Sequence, residues 1–161
     1  MIIMKSTNVN SIDILVVEDN AGDARLIKEV LNDNKIYNSL YIARDGVEAL
    51  DFLFRRGKHA DSTRPDLIIL DLNLPKKDGR EVLAEIKSNP VLHHIPIVIM
   101  TISQAEEDIF KSYNLHANCF ITKPIDLNQF IKVVKSIEDF WFSIVKLPPK
   151  DDGGASSVED A

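Results

Sequence analysis

The stretch IDILVVED, residues 12–19, sets a short apolar run directly before two acids. The same arrangement returns in LIILD at 67–71, and the run IPIVIMT at 95–101 ends in a threonine. Short runs rich in β-branched residues are typical of strands buried on both faces, as in a parallel sheet. We therefore predict three central strands, and weaker runs at 39–43 and 117–121 predict two more.

Helical patterns separate these runs, so strand and helix alternate along the chain. Asn20 is expected to cap the first helix, and Asp126 the fifth. The fourth helix is marked by apolar residues at 109, 110 and 113, and the fifth extends from about 127 to 144. Five strand–helix repeats predict an α/β fold: a doubly wound five-stranded parallel sheet of order 2-1-3-4-5, with an extended last helix.

Composition narrows the class of protein. A length of 161 residues is enough for about one domain. The net charge of -6 argues against a nucleic-acid partner, and a single cysteine excludes an internal disulfide or a multi-cysteine zinc site. No apolar run approaches the length of a membrane span, so we expect no membrane partner and a cytoplasmic location. We predict a flexible segment at 1–10, a folded domain at 11–146 and a disordered acidic tail at 147–161.

The chemistry is expected at the carboxyl ends of the strands, where open doubly wound sheets bind their ligands. Glu18 and Asp19 follow the first strand, Asp71 the third, Thr101 the fourth and Lys123 the fifth. Converging carboxylates repel one another unless a cation joins them, and oxygen ligands without histidine or cysteine favour Mg²⁺.

A backbone carbonyl near Asn73 is expected to complete the magnesium shell. The ion and Lys123 would together neutralise an incoming phosphoryl group. A carboxylate can then attack phosphorus and form an aspartyl phosphate, which is a recognised covalent intermediate. The sequence therefore points to phosphoryl chemistry at this edge of the sheet.

These motifs, in this order, resemble the receiver domain of two-component response regulators, the CheY-like members of the flavodoxin-like folds. The similarity covers about residues 11–140 and rests on Glu18-Asp19, Asp71, Thr101 and Lys123-Pro124. A closer similarity, to small stand-alone response regulators associated with bacterial phytochromes, is carried by VEDNAGDARLIKE, RPDLIILDLNLPKKDGREVLAEIK, ANCFITKPIDLNQFI and SIEDFW.

The resemblance implies roles for the acidic positions. Asp71 would accept a phosphoryl group from the phosphohistidine of a sensor histidine kinase, here one of the phytochrome type. Glu18, Asp19, Asp71 and the Asn73 backbone carbonyl would hold Mg²⁺, with Asp19 the more direct ligand of the acid pair. The chain would be a phosphoacceptor rather than an enzyme, a single-domain regulator that signals by protein contact.

The resemblance also implies roles for the residues after the fourth and fifth strands. Thr101 and Lys123 would each bind a phosphoryl oxygen, and Phe120 occupies the aromatic switch position. The peptide before Pro124 is often cis in this family. One departure is Ile102, because receivers usually have a small residue there, and a bulky one would narrow access to the phosphoacceptor.

A second hypothesis is a Mg²⁺-dependent phosphatase with an aspartate nucleophile. Such hydrolases commonly need a second acid two residues after the nucleophile, as a general acid. That position is Asn73, which cannot donate a proton in this role. The sequence therefore favours the receiver.

The end of the last helix predicts a homodimer. Apolar side chains surround most of its circumference, and one stripe alone can pack on the sheet. The candidate interface residues are Phe140, Trp141 and Phe142, on the face made by the fourth helix, fifth strand and fifth helix. The regulators that this sequence resembles are also often dimeric.

Overall fold

The computed structural model describes the backbone of residues 12–33, 38–102, 105, 107–108 and 119–145; the side chains of 38, 119 and 137–145 are not described. The strands are β1 (Ile12–Val17), β2 (Asn38–Ala43), β3 (Leu67–Asp71), β4 (Ile97–Thr101) and β5 (Cys119–Thr122). The helices are α1 (Ala21–Asp33), α2 (Gly46–Phe54), α3 (Gly79–Lys87) and α4 (Leu127–Val145), with a 3₁₀ turn at Gly57–His59. The helix labelled α4 here is the one predicted as the fifth.

All five strands pair in parallel in the order β2-β1-β3-β4-β5. Val17 lies opposite Ala43 on one side and Leu70 on the other, so the carboxyl ends of β1, β2 and β3 share one edge. The predicted fold and strand order are confirmed. The two weaker strands are also present: β2 begins one residue before its predicted start and ends where predicted, and β5 begins two residues and ends one residue later than predicted.

The apolar runs divide between two cores because successive side chains of a strand point to opposite faces. Leu15 and Leu70 belong to the core that α2 and α3 cover. Val16 and Ile69, one residue along, belong to the core that α1 and α4 cover. Burial on both faces explains why β1, β3 and β4 are continuously apolar rather than alternating.

Side-chain caps fix where the helices begin. The Asn20 side chain accepts a hydrogen bond from the Asp23 amide at 2.9 Å, and Asp126 accepts one from the Gln129 amide at 3.1 Å, as predicted. Asp78 forms a capping box at α3. The second helix, α2, stops at Phe54 because Arg55 takes a left-handed backbone conformation with φ of 58°.

Some predictions lie outside the described residues. They include the limits of the two terminal segments, the fourth predicted helix at 109–113 and the side chains of Phe140, Trp141 and Phe142, whose backbone belongs to α4. Within the described part of the chain, no helix is long and apolar enough to cross a membrane.

Candidate phosphoryl and metal site

The strand ends bring the predicted site residues together at one edge of the sheet. Glu18 follows β1, and its amide donates to the Ala43 carbonyl at 2.9 Å. Asp71 and Thr101 are the last residues of β3 and β4. Lys123 follows β5, and its amide donates to the Thr101 carbonyl at 2.7 Å. Each side chain is therefore placed by a strand, and none depends on a long loop.

The Lys123 ammonium lies at the centre of this group. Its Nζ is 2.8 Å from Asp71 Oδ2 and 2.7 Å from Glu18 Oε1. The side chain is only 18% exposed, and burial alone would lower its pKa. The two carboxylates outweigh burial and hold the pKa of Lys123 above its ordinary value, so the group is a permanent cation at neutral pH.

Three carboxylates form a cluster that fits a hard cation. Oxygen atoms of Glu18, Asp19 and Asp71 all lie within 4.8 Å of one another. Glu18 and Asp71 are buried, whereas Asp19 is exposed and open to incoming ligands. An oxygen-only set with one open side suits Mg²⁺ or Mn²⁺, which take carboxylates together with water or phosphate oxygens.

The charged form of Glu18 is disfavoured in this cluster. Burial raises the pKa of its carboxyl to about 7, and the charge of Asp71 adds to the rise, although Lys123 and the Asn20 amide oppose it. Glu18 Oε1 is buried and forms an ion pair with Lys123, but it accepts no aligned hydrogen bond from any described residue. A cation bound at this oxygen would satisfy it and relieve the repulsion.

The loop after Asp71 is fixed at both of its ends. Asp71 Oδ1 accepts a hydrogen bond from the Asn73 amide at 2.9 Å, and the Gly79 amide closes the loop onto the Leu72 carbonyl at 3.0 Å. Lys76, within the loop, has a left-handed φ of 67°. The loop thus holds the Asn73 backbone directly beside the carboxylate.

Thr101 has a buried hydroxyl with no hydrogen-bond partner among the described residues. Leaving such a group unpaired costs about 1–3 kcal/mol, so an acceptor brought to the site would be stabilised by it. Phe120 is half-buried and packs against the core under α2 and α3. The Lys123–Pro124 peptide is cis, in agreement with the expectation.

Ile102 is 62% exposed, so most of its surface is open to solvent. Its effect on access to Asp71 stays a prediction.

One member of the group is not among the predicted site residues. Asp23, in the first turn of α1, lies with Oδ2 3.2 Å from Lys123 Nζ. In the sequence, Asp23 fits a favourable charge at a helix start and nothing more. The sequence signal that could have found it is its place in the first turn of α1, because that turn comes directly after the carboxyl end of β1.

Comparison with known proteins decides the family. The response regulator receiver domain family matches residues 14–135. The chain belongs to this family. It is 53% identical to response regulator Rcp1 of Synechocystis sp. over 135 residues, which are 84% of this chain and 92% of Rcp1.

Two solved structures are similar over most of this chain. The crystal structure of the phosphorylated cyanobacterial phytochrome response regulator RcpA is 53% identical, with a TM-score of 0.70, and the match covers 83% of this chain and 96% of RcpA. The Mn²⁺-bound form of Rcp1 is 49% identical, with a TM-score of 0.69, over 89% of this chain and 99% of the relative. The predicted family, fold and two-component signalling function are confirmed, and the phosphatase hypothesis finds no support.

Proposed function

We propose that this receiver accepts a phosphoryl group on Asp71 from a sensor histidine kinase, with Mg²⁺ as the cofactor, and signals through protein contact. The observation that carries the proposal is the buried Asp71 carboxylate, with Lys123 at 2.8 Å and the unpaired Thr101 hydroxyl at the neighbouring strand end. The role is that of a phosphoacceptor in the cytoplasm, not a turnover enzyme.

Each residue has a part in the transfer. An Asp71 oxygen attacks phosphorus, an O–P bond forms, and the P–N bond of the phosphohistidine breaks with its electron pair returning to the imidazole. Lys123 pairs with one phosphoryl oxygen, and the Thr101 hydroxyl donates to another. Phe120 is proposed to follow Thr101 as the aromatic switch and so alter the surface that partners contact.

Glu18, Asp19, Asp71 and the Asn73 carbonyl would hold Mg²⁺, which supplies positive charge for the phosphoryl oxygens when it is bound. The Mn²⁺-bound form of the similar Rcp1 supports a divalent ion of this kind.

Phosphotransfer from an autophosphorylated kinase in Mg²⁺ tests the proposal. One acid-stable, base-labile phosphate per chain is expected. A kinase of the phytochrome type should transfer faster than an unrelated one, because the similar RcpA is a phytochrome response regulator by name. Turnover of small phosphate esters, with phosphate released catalytically, would instead revive the phosphatase hypothesis.

Mg²⁺ should stabilise the fold without any phosphate. The ion relieves the crowding of Glu18, Asp19 and Asp71, so a Mg²⁺ titration should raise the melting temperature by mass action. Asp19→Asn, which changes the exposed ligand, should flatten that response. Glu29→Gln is the matched control, because it removes the same charge from an exposed position of α1. An unchanged response in Asp19→Asn would place the metal elsewhere.

We also propose a homodimer through the end of α4. The helix has 19 residues and is about 28 Å long, whereas strands of four to six residues span about 13–20 Å, so we expect its last turns to extend past the sheet. Phe140, Trp141 and Phe142 belong to those turns. Aromatic side chains are enriched at interface centres, so a second copy is the proposed cover.

Light scattering at tens of micromolar should give a mass near twice 18.1 kDa. The paired change Phe140→Asp and Trp141→Ala should yield a folded monomer. The control pair Asn128→Asp and Lys132→Ala, at exposed positions near the start of α4, should remain dimeric. A wild-type monomer, with and without a phosphoryl mimic, would contradict the proposal.

A further inference from the structure

The Lys123 ammonium is shared by three carboxylates. Its Nζ lies 2.7 Å from Glu18 Oε1, 2.8 Å from Asp71 Oδ2 and 3.2 Å from Asp23 Oδ2. The contact with Asp71 is a hydrogen bond, whereas Glu18 Oε1 is held as an ion pair without an aligned hydrogen bond. A metal ion bound to Glu18 and Asp71 would compete with Lys123 for their oxygens.

Asp23 differs from the other two partners because it lies outside the proposed metal cluster. It belongs to α1, where its amide donates to the Asn20 side chain at 2.9 Å, and its side chain is 34% exposed. When the oxygens of Glu18 and Asp71 turn to a cation or carry a phosphoryl group, Asp23 can keep its contact with the ammonium.

We propose that Asp23 is a positioning residue that draws Lys123 towards α1, so that the lysine yields the Glu18 and Asp71 oxygens to Mg²⁺ and stays beside the phosphoryl group. The proposal rests on the function assigned above. Without Asp23, the ammonium should settle on the two buried carboxylates and oppose metal binding. A plain helix-start charge would give a small gain in stability that does not depend on Lys123.

The test is a double-mutant cycle read out as the Mg²⁺ concentration that gives half of the rise in melting temperature. Asp23→Asn should raise this concentration about three- to fivefold relative to the control Glu29→Gln, the range of a partly exposed ion pair. Asp23→Glu should restore most of the affinity. In the Lys123→Met background, Asp23→Asn should do no more than Glu29→Gln, since the lysine through which it acts is gone.

A second readout needs neither metal nor phosphate. The ¹⁵N resonance of the Lys123 ammonium in the metal-free protein should shift in Asp23→Asn and stay unchanged in Glu29→Gln. An unchanged resonance, or an Asp23→Asn effect that persists in Lys123→Met, overturns the inference. A wild-type protein that ignores Mg²⁺ while the resonance still shifts would overturn the proposed metal site and leave the Asp23–Lys123 pairing supported.

Discussion

Asp71→Asn is expected to abolish phosphoryl labelling, with no phosphate above background after incubation with kinase, ATP and Mg²⁺. The wild-type carboxylate offers one oxygen to the Asn73 amide and the other to Lys123. An amide is a far weaker nucleophile than a carboxylate and cannot form an acyl phosphate. In either orientation its NH₂ group also faces a donor, the Asn73 amide or the Lys123 ammonium.

Asp61→Asn is the matched control, because it makes the same change of charge and shape at an exposed aspartate. It should be labelled at the wild-type rate, and a circular dichroism spectrum should show that both variants are folded. Asp71→Glu tests whether the position of the carboxylate matters as well as its presence. It keeps the carboxylate but moves it by about one methylene, and an ångström of misplacement is enough for a large loss of rate, so its labelling should be much slower than that of the wild type. Full labelling of Asp71→Asn would move the acceptor to another residue.

The sheet could be predicted from the sequence because strands that are buried on both faces are apolar at nearly every position. The runs that become β1, β3 and β4 are apolar at every position that reaches a core, and each ends in a polar residue of the site. Parallel pairing then brings Glu18, Asp71 and Thr101 to one edge without further information. The positions of these side chains therefore followed from strand endings alone.

Contacts made by helix starts and loops could not be predicted in the same way. Asp23 and Lys123 are 100 positions apart in the sequence. The 3.2 Å between their charged atoms depends on how α1 packs over the sheet. Asp45 caps α2 through one oxygen and pairs with Lys76 through the other at 3.4 Å, a link between a helix start and the Asp71 loop. Both are short polar contacts whose partners are set by tertiary packing, which no local pattern records.

Gly46, the first residue of α2, lies directly against this loop. A Cβ built at Gly46 would lie 2.8 Å from both the carbonyl carbon and the Cβ of Lys77, and closer still to the Lys77 carbonyl oxygen. The Gly46 amide faces the Pro75 carbonyl at 3.5 Å. Position 46 therefore has no space for a side chain, because the obstructing atoms are mostly backbone and cannot rotate away.

Gly46→Ala should therefore force α2 and the 72–78 loop apart, and the loss of stability should be about 2–3 kcal/mol, the upper range for overpacking. For a domain of this size the melting temperature should fall by roughly 5–10 °C. The displaced loop carries Asn73, so the rise in melting temperature on adding Mg²⁺ should shrink as well. Gly22→Ala is the control: its Cβ would meet only the Asn20 side chain, at 3.2 Å, and alanine favours the helix. Equal melting temperatures for the two variants would show that the loop yields easily and that Gly46 does not hold it in place.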